Sequence, residues 1–301
     1  MNVREAEIAA NETPEGTQVL FAEFSGEEGF YPCTYLPDIV YAEYGSIKLK
    51  LQIIKPFENV QKFPLIVYVQ GSAWRKQELY TAIPSLSHVA SRGYVIASVE
   101  IRNTDIAKFP SALEDVKCAV RFMRENADNY GVDPTRVAVW GDSSGGHLAL
   151  MTGLTAGEYN NGLYKDQSDE VSAVVDYYGV TDIPNLGRYN NIFDHDSEDS
   201  PEGLFLGGRV KDNIELAKKA SPIYMDLWKK LPPFLIVHGT DDEVVHVNQS
   251  IEMYKALKEH KQNVFFYKVI GAGHGPGIWS PQILKLTEKF LSTHIKRPSK
   301  L

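Results

Sequence analysis

RVAVWGDSSGGHLAL, residues 136–150, runs an apolar strand into a glycine-bounded turn and that turn directly into a helical pattern. Gly141-Asp142-Ser143-Ser144-Gly145 is G-x-S-x-G, and between a strand and a helix it reads as an elbow that presents a serine. The reason is steric. A sharp turn holds Ser143 in a strained backbone conformation, and glycines two residues to either side let neighbouring backbone pass close. Ser143 Oγ then projects at a helix N-terminus, where the dipole favours developing negative charge. A lone G-x-S-x-G is a modest signal; the strand before it and the helix after it make it specific.

Outward from the elbow the same alternation repeats. IKLKLQII (47–54) alternates polar and apolar residues, as a half-buried or edge strand does. LIVYVQ (65–70), YVIASVEI (94–101), VSAVVDYYG (171–179), FLIVHG (234–239) and NVFFYKVI (263–270) are mostly near-continuous apolar runs, the mark of parallel strands buried on both faces. Helical patterns separate them. ALEDVKCAVRFMRENA (112–127) sets Leu113, Val116, Val120, Met123 and Ala127 at spacings of three or four, and Ser111 with Glu114 forms an expected capping box. SIEMYKALKEH (250–260) and SPQILKLTEKFLSTH (280–294) read likewise, with Pro281 suited to a first helical turn. The predicted fold class is α/β: a mostly parallel central sheet with helices on both faces, in one domain over 1–301. Residues 184–212 break the rhythm, being rich in Gly, Pro, Asn and Asp with no sustained period. A loop that long in a compact domain is usually functional, so it is expected to be a small cap insertion, against a plain solvated loop. Residues 1–40 read as an N-terminal extension that packs on the sheet, arms the site or joins a second subunit.

A serine hydroxyl is a poor nucleophile until a base takes its proton and a third group orients that base. Behind an elbow of this kind the partners follow in the order acid, then histidine, on loops after later strands. FLIVHGTDDEVVH (234–246) puts Asp241 and Asp242 just beyond a buried strand, and NVFFYKVIGAGHGPGIW (263–279) puts His274 in a Gly-rich loop beyond the next. All lie at carboxyl ends of predicted parallel strands, where sites in open α/β sheets form. His238, at a strand end, reads as structural, and His147, on the helix after the elbow, reads as packing. Negative charge on a substrate oxygen needs backbone donors. Those expected are the amides of Ser144, after the nucleophile, and of Ser72 and Ala73 in LIVYVQGSAW (65–74). Gln70, Trp74 and Trp279 are expected to contact substrate, Trp74 reading almost equally well as a core aromatic.

Composition bounds the rest. With 39 acidic against 31 basic residues the net charge is −8, which disfavours a nucleic-acid phosphate backbone as partner. No run of 18 apolar residues appears, and the first residues, MNVREAEIAANETPEG, have no apolar leader core, so neither a membrane span nor a signal peptide is expected. The two cysteines, Cys33 in a Tyr/Pro-rich loop and Cys118 in a helix, make no disulfide framework, and a reducing cytoplasm is the simpler expected home. HGTDD lacks the ligands of a catalytic zinc, so neither metal nor cofactor is expected. A homo-oligomer is left open.

These motifs resemble the α/β-hydrolase superfamily and, within it, the hormone-sensitive-lipase-like serine esterases. GDSSGG stands where that group has GDSAGG, and residues 109–150 resemble its block leading to the elbow. PPFLIVHGTDDEVV (232–245) resembles its acid loop, which maps the catalytic aspartate onto Asp242, and GAGHG (271–275) maps the base onto His274. The lipase-like HGGGW loop is replaced by Gln70-Gly71-Ser72-Ala73-Trp74, and VQGSAW is similar to the bifunctional feruloyl and acetyl-xylan esterases. The resemblance implies a carboxylic-ester hydrolase with a Ser143–His274–Asp242 triad, acting on small-molecule or carbohydrate esters such as acetylated xylan. A peptidase or arylformamidase on the same scaffold is the alternative, and a catalytically silent ligand-binding receptor is the non-enzymatic one.

Overall fold

The computed structural model describes residues 30–57, 61–189 and 192–295. Among these residues eight strands form one sheet: β1 (Cys33–Tyr44), β2 (Ile47–Pro56), β3 (Phe63–Val69), β4 (Val95–Val99), β5 (Val132–Asp142), β6 (Ala173–Tyr177), β7 (Phe234–Gly239) and β8 (Val264–Val269). Their order is β1-β2-β4-β3-β5-β6-β7-β8. β2 runs antiparallel to both neighbours, and β4 through β8 pair in parallel. β3, β4, β6 and β7 are buried along their whole length, as their unbroken apolar sequences require.

Among the described residues eight helices connect and cover the sheet: α1 (Ile83–Ala90), α2 (Ser111–Glu125), α3 (Ala127–Tyr130), α4 (Ser144–Leu154), α5 (Pro201–Leu206), α6 (Ile214–Lys219), α7 (Asn248–Glu259) and α8 (Pro281–Ile295). The period-2 geometry of a strand divides the core in two. Leu65, Val67 and Val69 of β3 join one apolar layer with α2 and α4, while Ile66 and Tyr68 join the other with α1 and α8. Among the described residues no helix is long and apolar enough to cross a membrane.

Several local expectations are corrected. Cys33 lies in a strand, not a loop, and that strand is the sheet edge, so β2 is internal. Of the expected extension, residues 1–29 lie outside the described residues, and the remainder enters β1. Ser111 is the first residue of α2 rather than its cap; Pro110 holds the cap position and makes no side-chain cap bond. Glu114, freed from a capping box, pairs with Arg102 at 3.1 Å. Both cysteines are free, Cys118 buried and Cys33 exposed.

Candidate active site

The elbow is strained as its sequence implies. Ser143 has φ 52° and ψ −125°, a conformation disfavoured for any residue with a Cβ. The backbone around it leaves no slack. A Cβ on Gly145 would lie 2.0 Å from the Val69 carbonyl oxygen, and one on Gly141 would lie 2.2 Å from the Gly145 carbonyl oxygen. β3, the turn and α4 can therefore close on one another only through glycine. The Ser143 amide donates to the Tyr177 carbonyl at 2.8 Å, tying the turn to β6.

β7 and β8 end beside the elbow and supply the partners. Asp242 is buried, and its Oδ1 accepts the Val244 and Val245 amides, each at 2.9 Å. Its Oδ2 lies 2.8 Å from His274 Nδ1, and His274 Nε2 lies 2.9 Å from Ser143 Oγ. Because Nδ1 faces a carboxylate it carries the hydrogen, which leaves the Nε2 lone pair facing the serine hydroxyl. Asp241 is exposed and accepts only from Thr240 Oγ1 (2.7 Å), so of the two acids only Asp242 reaches the histidine. Burial pushes the Asp242 carboxyl up, but hydrogen bonds from His238 and His274 outweigh it and hold the group well below the usual carboxylate range.

Two neighbours of this arrangement escaped the sequence reading. His238 Nε2 lies 3.2 Å from Asp242 Oδ2, a contact whose only sequence trace is the four-residue spacing across a strand end. Tyr178, at φ 43°, packs its ring 4.7 Å from that of His274. Its hydroxyl donates to Asp142 Oδ2 (3.3 Å) and accepts from Trp279 Nε1 (3.0 Å). Asp142 Oδ1 also accepts from Tyr68 (2.6 Å) and the Gly71 amide (3.0 Å), while burial pushes this carboxyl up.

The expected oxyanion donors divide. The Ser72 amide donates to Ser144 Oγ at 2.9 Å, so it is committed within the protein. The cause is the second serine of GDSSGG, whose hydroxyl reaches back to the loop. Ala73, at φ 55°, and Ser144 border the same cavity as Ser143, and neither amide bonds another described residue. Ala73, Trp74, Ser143 and Tyr178 all have positive φ, so backbone strain gathers at this point.

A cavity of about 550 Å³ opens at Ser143. Ala73, Trp74, Val180, Val244 and Val245 line its inner wall, and Phe193, Asp194, His195, Ser197 and Asp199 through Glu202 line the outer one. The irregular 184–212 segment therefore walls this cavity, and it contains α5 as well as loop. The Trp74 ring is buried and stacked 4.5 Å from Phe205 of α5, and it also lines the cavity. Its indole N–H donates to His147 Nδ1 at 3.1 Å. His147 in turn donates from Nε2 to the Ala220 carbonyl (2.7 Å), and burial pushes its pKa down to about 4, so it packs as a neutral ring. Gln70 and Trp279 do not line this cavity. They line a separate one of about 190 Å³ together with Tyr68, Thr81, Ser85 and Asp142. Gln70 is drawn there by its bond to Thr81 Oγ1 (2.7 Å), and Trp279 by stacking on Trp140 at 5.4 Å.

Sheet order, elbow and the Ser–His–Asp arrangement define the class as an α/β-hydrolase. The BD-FAE family model matches residues 51–257, more than half the chain, and the chain belongs to that family. It is 31% identical to esterase LipC of Mycobacterium tuberculosis over 221 residues, covering 70% of this chain and 53% of LipC. The chain thus spans about half the length of the curated relatives it matches. A truncated carbohydrate esterase from gut microbiota superposes with TM-score 0.77 at 27% identity, covering 90% of this chain and 99% of that one. A bifunctional GH43-CE protein of Bacteroides eggerthii superposes with TM-score 0.78 at 30% identity, covering 86% and 38% respectively.

Proposed function

We propose that this chain is a serine carboxylic-ester hydrolase that removes acetyl, other short, or feruloyl acyl groups from carbohydrate esters such as acetylated xylan. The observation that carries the reading is the unbroken relay from Asp242 through His274 to Ser143 Oγ, at 2.8 and 2.9 Å. His274 Nε2 takes the Ser143 proton as Oγ bonds to the ester carbonyl carbon. The carbonyl oxygen becomes an oxyanion received by the Ala73 and Ser144 amides, in place of the bulk water that would otherwise solvate it. The C–O bond to the alcohol then breaks, and His274 returns the proton to the leaving oxygen. Water repeats the sequence on the acyl-enzyme, releasing the acid and restoring the Ser143 hydroxyl. Asp242 fixes the His274 tautomer and stabilises the imidazolium.

The acyl half fits the cavity at Ser143, whose inner wall of Trp74, Val180, Val244 and Val245 is apolar. The carbohydrate half rests on the family and on the carbohydrate esterases among the structural neighbours. The two free cysteines suit a reducing compartment.

Fluorophosphonate labelling tests the reading, followed by turnover on p-nitrophenyl acetate, acetylated xylan, a feruloyl ester and a dipeptide anilide. Wild type is expected to label and to hydrolyse the esters, and Ser143→Ala to lose both. An unlabelled wild type overturns the mechanism, and turnover of the anilide alone replaces the esterase by a peptidase.

A further inference from the structure

His238 is the fifth residue of β7 and fully buried. A buried histidine that satisfies both ring nitrogens within the core needs no functional account, and two of its contacts fit that plain role. Nδ1 lies 2.7 Å from Ser250 Oγ on α7, and Nε2 lies 2.7 Å from the Val245 carbonyl. The third contact does not fit it. Nε2 also lies 3.2 Å from Asp242 Oδ2, the oxygen that His274 Nδ1 approaches to 2.8 Å. Both groups facing Nε2 are acceptors, so Nε2 carries a hydrogen that they share. Two imidazoles thus converge on one carboxylate oxygen, while two backbone amides hold the other.

We propose that His238 is a positioning residue for the triad, its Nε2–H holding Asp242 Oδ2 in place and setting how strongly that oxygen acts on His274. The inference rests on the reading of Ser143, His274 and Asp242 as a catalytic triad. A buried carboxylate oxygen with two donors is fixed in direction and shares its charge between them. With one donor removed, Oδ2 keeps only His274, its charge falls more fully on that ring, and the imidazolium is favoured. The other groups facing His274 are Ser143, the Tyr178 ring and the Asp142 carboxylate. Those facing His238 are Asp242, the Ser250 hydroxyl, the Val245 carbonyl and the Tyr178 ring, 6.3 Å away. Replacing His238 leaves all of these in place, so a change in the pH profile of turnover reports the lost donor.

The test uses the full chain with His238→Ala, His238→Asn and His238→Gln, assayed on p-nitrophenyl acetate from pH 5 to 9, with circular dichroism and melting to establish folding. His238→Ala is expected to lower kcat by roughly 10-fold with KM little changed, a fraction of what a positioned base contributes. Its acid limb of kcat/KM moves up by about half a pH unit. Gln carries an N–H at nearly the reach of imidazole Nε2 and restores most of kcat, while the shorter Asn does not. This comparison also serves if the Ala variant fails to fold. Folded variants that keep the wild-type kcat and acid limb, or Asn and Gln variants with equal kcat, overturn the proposal while leaving the esterase reading intact. A wild type without esterase activity overturns both.

Discussion

Asp176, the fourth residue of β6, sits beneath the elbow with no exposed surface. Its Oδ1 accepts the Gly179 amide at 2.9 Å, and Cβ atoms on Gly146 or Gly179 would come within 2.3 and 2.4 Å of that oxygen. Among the described residues Oδ2 has no partner. Burial, reinforced by the nearby Asp142 charge, pushes the Asp176 pKa up to about 7. The folded state therefore keeps a proton that the unfolded chain releases near pH 4. Stability is full below that unfolded value, declines as pH rises, and levels off above about 7. This one group is expected to cost roughly 2–3 kcal/mol between pH 5 and 8. Asp176→Asn should remove that decline, read as a smaller drop in melting temperature from pH 5 to pH 8 than wild type shows. An identical drop in both proteins sinks the assignment. Sequence alone marks Asp176 as a polar residue in an apolar strand and no more, because its state depends on what β5, α4 and the β6 loop exclude from it.

At the level of elements, α5 and the loop that carries Ala73 hold each other. Phe205 of α5 stacks on Trp74 at 4.5 Å and meets Phe109 and His147 edge-on, each at 5.5 Å. Phe205→Ala leaves a void behind the loop that carries Ala73, and its expected cost is about 3–5 kcal/mol by chemical denaturation. KM for a feruloyl ester should rise more than KM for an acetyl ester, because the longer group leans on the wall that Trp74 forms. Equal changes in both would detach α5 from acyl selection. Existence and type of these elements were unevenly legible. Long, periodic stretches such as 112–127 and 281–295 announce their helices, since spacing along one chain segment encodes a buried face. α5 does not, because so short a helix gains its burial from Trp74 and Phe109 rather than from a repeating pattern of its own. β1 is less legible for a related reason: Cys33–Tyr44 has many exposed positions, as an edge strand does, and it is ordered by pairing with β2 and by contacts of Tyr41 and Tyr44 with distant segments.

For the molecule as a whole, the charge of −8 acquires a location. Asp194, Asp199 and Glu202 line the cavity, together with Arg75 and with His195, whose Nδ1 lies 3.0 Å from Glu202. A neutral acyl group enters without opposing that field; an anionic one does not. A hemisuccinate ester should therefore be turned over several-fold more slowly than the butyrate ester of the same alcohol. The gap should narrow from low to high salt, as screening shortens the reach of the carboxylates. A gap that is absent, or insensitive to salt, removes electrostatics from acyl selection.

What the sequence by itself determined was short-range. Glycine spacing around Ser143 dictated the elbow, unbroken apolar runs dictated parallel buried strands, and the order of loops brought an acid and a histidine to the same sheet edge. Each follows from sterics or burial within a few consecutive residues. Tertiary structure alone decided matters between segments far apart in the chain. It brought Asp242 Oδ2 to 2.8 Å from His274 Nδ1, committed the Ser72 amide to Ser144, and sent Gln70 and Trp279 into a different cavity from Trp74. It also set a second histidine, His238, against Asp242. A hydrogen bond chooses its partner by position to within a few tenths of an ångström, and only the packed sheet, with both faces filled, fixes positions that finely.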